Sequence, residues 1–207
     1  MKIRRLFCSF LILFLLFSTS CRDVKKEENA LSDIKLRYNQ IKDFVVEADV
    51  TVKMNKYPES FHARIYYKYP EKERIEIYKG GDLDKIIIYN KEKVFIYFKK
   101  INRSVIIENQ ADEDKHYLLL SNFIKNIMTS ERIDLTTEKN YYYLYYEVPD
   151  GNIYFAKEAI WIDKKNFLPV KMSIYNLKGE EVVTATYAQF LANKNLSDDV
   201  FEINTRN

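Results

Sequence analysis

From Phe44 to Phe190, apolar side chains recur at every second position through most of the chain. That regularity excludes more folds than any other feature, because a period of two puts alternate residues on opposite faces of a strand. Val46, Ala48, Val50, Val52 and Met54 form one face, against Val45, Glu47, Asp49, Thr51 and Lys53 on the other. The alternation continues in Phe61, Ala63, Ile65, Tyr67 and Tyr69, and in shorter runs around Ile75, Ile87, Phe95 and Ile106. Pro58, Pro70, Gly80-Gly81-Asp82, Asn90 and Asn102 punctuate these runs. Links this short join antiparallel neighbours. Five further strands are predicted, over Arg132 to Glu138, Tyr141 to Val148, Glu158 to Asp163, Pro169 to Asn176 and Glu181 to Phe190.

Two segments break the period. Leu31, Ile34, Tyr38 and Ile41 fall three and four apart, which predicts a helix with one buried stripe while Asp33, Lys35, Arg37 and Lys42 face water. Between Asp112 and Ser130, Leu119, Leu120, Phe123, Ile124, Ile127 and Met128 recur at helical spacing behind three acidic residues that suit a helix amino end. About eleven strands and two helices without a long linker or repeat make one α+β domain over residues 30–207. Its fold class is a large antiparallel sheet with the helices covering one face.

The first twenty residues read differently. Lys2, Arg4 and Arg5 precede an apolar run from Leu6 to Phe17 that ends in Ser18, Thr19 and Ser20, the plan of a secretory signal. The run is shorter than the roughly 20 residues that span a bilayer as a helix. Cys21 follows directly, as in the lipobox of bacterial lipoproteins, although Ser18 stands where that box usually has Leu. We expect cleavage before Cys21, a fatty acyl (palmitate-type) lipid on its thiol, and a charged tether over residues 21–29.

Three of the 33 Lys and Arg lie in the signal, leaving thirty bases against thirty acids. A neutral domain lacks the basic excess that drives nucleic-acid binding, so no nucleic-acid partner is expected. Losing Cys8 with the signal leaves Cys21 without a disulfide partner, which a lipid explains better than a free thiol. His62 and His116 are far apart, with no Cys, Asp or Glu at metal-ligand spacing, and no phosphate loop or nucleophile elbow occurs. We expect no metal, no cofactor and no catalysis. The charged runs Glu71 to Arg74 and Asp112 to Lys115 read as solvated charge beside turn and helix-start signals.

The run from Tyr141 to Tyr146 puts Tyr141, Tyr143 and Tyr145 on one strand face and Tyr142, Leu144 and Tyr146 on the other. One face is core. The other is either a partner-binding patch or lies under a helix or loop.

An exported chain with an amphipathic helix, then "FVVEADVTV", "ARIYYKYPEKERIEIY", a mid-chain helix and "IWIDKKNFLPVKMSIYNLKGEEV" resembles the lipoprotein-localisation-factor (LolA-like) superfamily. Within it, "YYKYPEKERIEIY", "VFIYFKKINRSVIIEN" and "FIKNIMTSE" are most similar to the spore germination lipoproteins of the GerS type. The resemblance implies a strongly curved half-barrel sheet with two helices on its concave face. It also implies one of two roles. A germination lipoprotein would bind and activate a cortex zinc-dependent N-acetylmuramoyl-L-alanine amidase, so that muramic lactam forms in spore peptidoglycan. A carrier would shield acyl chains in a cavity lined by Leu119, Phe123 and Ile127. Lipid on Cys21 would place either on a membrane, facing the envelope or the forespore intermembrane space. The sequence leaves a homodimer open.

Overall fold

The computed structural model describes residues 27, 29–54, 56–90, 93–108, 120–130, 133–148 and 151–202. The chain opens with helix α1 over 29–39. Six strands follow, β1 (Asp43–Val52), β2 (Glu59–Lys68), β3 (Lys72–Lys79), β4 (Asp82–Asn90), β5 (Lys93–Phe98) and β6 (Arg103–Glu108). Helix α2 (Leu120–Thr129) then separates them from β7 (Asp134–Thr137), β8 (Tyr141–Glu147), β9 (Lys157–Asp163), β10 (Pro169–Tyr175) and β11 (Glu181–Ala192). The expected helix therefore begins at Leu120 where it is described, and its acidic start at 112–119, with Leu119 and His116, lies outside the described residues, as does Cys21.

All eleven strands form one sheet in the order β6-β5-β4-β3-β2-β1-β11-β10-β9-β8-β7. Every pairing is antiparallel. The sheet is curved and does not close, giving the expected α+β half-barrel. Among the described strands one pairing is non-local. β11 returns to β1, matching Ala48 with Tyr187 and Val50 with Ala185, and thereby joins the N-terminal and C-terminal meanders edge to edge.

The inner face carries the core. Phe44, Val46, Ala48, Ala63, Ile65, Ile75, Ile77, Leu144, Ile160, Ile162, Met172 and Ile174 pack there against Ile34 and Tyr38 of α1 and Leu120, Phe123 and Ile127 of α2. Each fully buried side chain of this size contributes roughly 1.5–3 kcal/mol by leaving water. Two side chains at the ends of the expected stripes depart from them: Met54 and Tyr69 are exposed. β1 ends at Val52 and β2 at Lys68, so both residues sit in turns, beyond the sheet that would have covered them.

The last segment crosses to the opposite face. Past β11 the buried carboxylate of Asp43 accepts hydrogen bonds from the backbone N–H of Lys194 (2.6 Å) and Asn195 (3.0 Å). Asn193 and Asn195 adopt positive φ there, of 54° and 57°, and turn the chain over the sheet edge. A 3-10 turn over Asp198–Phe201 then lays Phe201 on Ile86 and Ile88, beside Tyr66 and Phe95. Lys68 donates to the Leu196 carbonyl (2.8 Å) and Arg74 to that of Val200 (3.1 Å), fastening this strap to the outer face.

Candidate functional site

Helix α2 is tied to both halves of the sheet by buried polar groups. Near its amino end, Ser121 Oγ donates to Glu73 Oε2 on β3 at 2.5 Å. Five residues further on, Asn126 Nδ2 donates to Tyr146 Oη on β8 (3.2 Å), and that hydroxyl donates to Glu158 Oε2 on β9. The two carboxyls sit on the inner face because they fall two residues before inward-facing isoleucines: Glu73 before Ile75, and Glu158 before Ile160.

Both are held away from water, which disfavours the charged form. Burial pushes Glu73 up to about 8, with the Ser121 hydrogen bond opposing. Burial pushes Glu158 up to about 7, opposed by Tyr146. Glu73 Oε1 has no hydrogen-bond partner among the described residues. The solvated-charge reading of Glu71 to Arg74 is therefore wrong at Glu73, which is 4 % exposed. The reason is register. Turn residues end at Glu71, and from Lys72 the strand alternation, not the local charge density, decides which side chains turn inward.

Of the expected cavity residues, Phe123 and Ile127 lie between α2 and the sheet, fully buried and packed into the core. Phe123 sits 5.8 Å from the Tyr146 ring. Leu120, which shares their stripe, is also fully buried.

Tyr141, Tyr143 and Tyr145 lie on the outer face, half-buried, while Leu144 and Tyr146 are core on the inner one. The structure brings Tyr143 and Tyr145 together at 6.3 Å and near-parallel, and adds Trp161 at 4.9 Å from Tyr143. Lys157 Nζ stands 5.6 Å from the Tyr145 ring and Lys171 Nζ 4.6 Å from Trp161. Below them Glu181 takes hydrogen bonds from Lys53 and Ser173, both at 2.8 Å. Although burial opposes it, these contacts hold its carboxyl down to about 2. The result is a rigid aromatic and cationic patch with one strongly acidic group. Trp161 and Lys171 escaped sequence reasoning, yet the pairing Tyr143↔Trp161↔Lys171 follows from register once the strand order is known.

His62 lies on the outer face of β2 between Asp49 (3.0 Å) and Glu47 (2.6 Å). Hydrogen bonds to the two carboxylates raise its pKa, that to Asp49 most, with partial burial opposing. Among the described residues no group of three or more His, Cys, Asp or Glu side chains, the His62 cluster included, is arranged so that it could hold a metal ion. Also among them, no helix is long and apolar enough to cross a membrane.

Comparison with solved structures places the fold. An uncharacterised conserved protein from Thermus thermophilus is 18 % identical, with 84 % of this chain and 91 % of that chain covered and a TM-score of 0.53. The structure of the CwlD amidase from Clostridioides difficile in complex with the GerS lipoprotein matches at 23 % identity over 83 % of this chain and 95 % of that one, TM-score 0.47. The LolA superfamily protein NE2245 from Nitrosomonas europaea matches at 12 % identity over 83 % and 97 %, TM-score 0.43. No curated protein matches in sequence. A family model does, across residues 1–201: the chain belongs to the sporulation protein YdcC-like family.

Proposed function

We propose that the protein is a membrane-tethered lipoprotein of the sporulating cell. It is exported by residues 1–20, held by lipid on Cys21 through the tether 21–29, and binds a zinc-dependent N-acetylmuramoyl-L-alanine amidase. Binding raises that enzyme's activity on spore cortex, so that muramic lactam is made and the spore can germinate. The observation that carries this reading is membership of a sporulation family along nearly the whole chain. The amidase as partner comes from the sequence resemblance to germination lipoproteins. The packed inner face supports holding over carrying, because an acyl chain would have to displace Leu120, Phe123 and Ile127 and break the hydrogen bonds of Ser121 and Asn126.

The outer patch of Tyr141, Tyr143 and Tyr145 with Trp161 is the proposed contact surface. Half-buried aromatics braced by lysines lose little freedom on docking. Muropeptide profiling of wild-type and deletion spores tests the role: the deletion should abolish muramic lactam, and unchanged lactam rejects it. Fatty-acid labelling of wild type and Cys21→Ala tests the anchor, since label retained on the variant removes it. Acyl chains co-purifying with the domain would instead establish the carrier.

A further inference from the structure

The antiparallel order puts five of the nine hairpin connections between the described strands on one rim: those between β1 and β2, β3 and β4, β5 and β6, β8 and β9, and β10 and β11. This rim is apolar where the opposite one is not. Met54, Tyr57, Ile101, Ile153, Tyr154 and Leu177 lie on it, between 45 and 71 % exposed, whereas the opposite rim's turns show one such residue among those described, Tyr69. Water is a poor environment for so many loop tips at once.

The display is built rather than loose. In the β8–β9 connection Phe155 turns inward to the core, and Asn152 Oδ1 accepts the backbone N–H of Tyr154 (2.8 Å) and Phe155 (3.1 Å). A Cβ on Gly151 would meet the Phe155 carbonyl oxygen at 2.6 Å, so only glycine permits this tight path. The Leu177 N–H donates to the Ile153 carbonyl (3.2 Å), locking two neighbouring hairpins into one projecting surface.

Charge identifies what such a surface fits. In the β1–β2 loop Lys56 lies between Met54 and Tyr57, its Nζ 5.5 Å over the Tyr57 ring, while Lys53 beside Met54 is already paired with Glu181. In the β5–β6 turn Lys99, Lys100 and Arg103 flank Ile101. Neither 53–58 nor 99–103 contains a carboxylate, so the cationic character is concentrated in these two loops, while the β3–β4 and β10–β11 hairpins of the same rim carry Asp82 and Glu180. Cations alternating with exposed tyrosine and aliphatic tips match the boundary between anionic headgroups and acyl chains, where the tips are buried and the ammonium groups stay at headgroup level. A protein partner would pair those lysines with carboxylates but gives no reason for apolar tips on loops so far apart.

We infer that this hairpin rim is a membrane-docking surface that seats the half-barrel on an anionic lipid bilayer. The orientation rests on the proposed lipid at Cys21. The eight residues from there to α1 reach at most ~28 Å, so the bilayer stays within range of the domain. The rim's own affinity does not depend on the anchor, and this separates the two readings.

The test is co-sedimentation of residues 28–207, which include every described helix and strand, with vesicles of phosphatidylcholine alone or mixed with phosphatidylglycerol. The domain should pellet with the mixed vesicles and be released by salt. Tyr57→Ser combined with Ile101→Ser and Leu177→Ser should weaken binding about tenfold or more, and Lys56→Glu with Lys99→Glu and Lys100→Glu should abolish the preference for anionic vesicles. Unchanged melting of both variants shows that the fold persists. No pelleting with either vesicle overturns the proposal, as does equal pelleting of wild type and variants. Loss of amidase capture in the serine variant without any vesicle binding by wild type would assign the rim to a protein instead.

Discussion

The two wings of the half-barrel are finished in different ways. On the β8–β10 wing the inner residues Leu144, Ile160, Ile162, Met172 and Ile174 are fully or almost fully buried in the core shared with the two helices. On the β4–β6 wing the outer face is covered too: Ile86 and Ile88 lie under the C-terminal strap, with Val94 still buried on the inner face, while Val105 and Ile106 of β6 stay exposed. Strand sequences as apolar as "AIWI" and "SVII" thus end in different environments. What decides is which covering element reaches them. The helices extend over the middle and one wing, and the other wing is stabilised from behind by the C-terminal tail.

That contrast can be broken residue by residue. The largest effect is expected from Ile162→Ala, which empties a fully buried inner site and should cost about 4 kcal/mol in urea denaturation. Phe201→Ala removes the strap's single buried aromatic from Ile86 and Ile88 and should cost about 3 kcal/mol, less because the strap can settle onto the sheet. If Phe201→Ala were silent, the strap would be ornament and the wing would hold without it.

The next test uses the buried carboxyls. Glu73 and Glu158 are raised from 4.5, so the folded state keeps protons that the unfolded chain has released. Their contribution is full below about pH 4.5 and is lost as pH rises through about 7 for Glu158 and about 8 for Glu73. Wild type should therefore weaken between pH 5 and 8. Glu73→Gln, neutral throughout, should flatten the upper part of that decline and leave the variant about 3 kcal/mol better off relative to wild type at pH 8 than at pH 5. Parallel declines in both proteins would mean that Glu73 is hydrated. The smallest effect belongs to the exposed edge, where Ile106→Ala should stay within about 0.5 kcal/mol. A loss comparable to that of Ile162→Ala would show that β6 is covered in solution.

The difference between the buried carboxyls sharpens the same comparison. Glu158 is hydrogen-bonded to a tyrosine that α2 itself holds through Asn126, whereas Glu73 has only Ser121 and one bare oxygen among the described residues.

The sequence by itself determined the strands, their antiparallel meander and the two helical interruptions. Alternation such as Val46, Ala48, Val50 is local, and a chain with period two and short turns has few other ways to hide one face. It also contained the inward placement of Glu73 and Glu158, two residues before isoleucines of the same face, but the neighbouring charges in "EKER" argued locally for solvent and obscured it. The sequence could state that Tyr141, Tyr143 and Tyr145 share a face, and not that Trp161 and Lys171 complete their patch, because those neighbours are supplied by register across three strands. Which apolar face receives a helix, which receives the C-terminal strap and which rim collects the exposed loop tips were decided only by tertiary structure. Each depends on the return of β11 to β1 across about 140 residues of chain, a pairing selected by the summed burial of the whole inner face rather than by any local propensity.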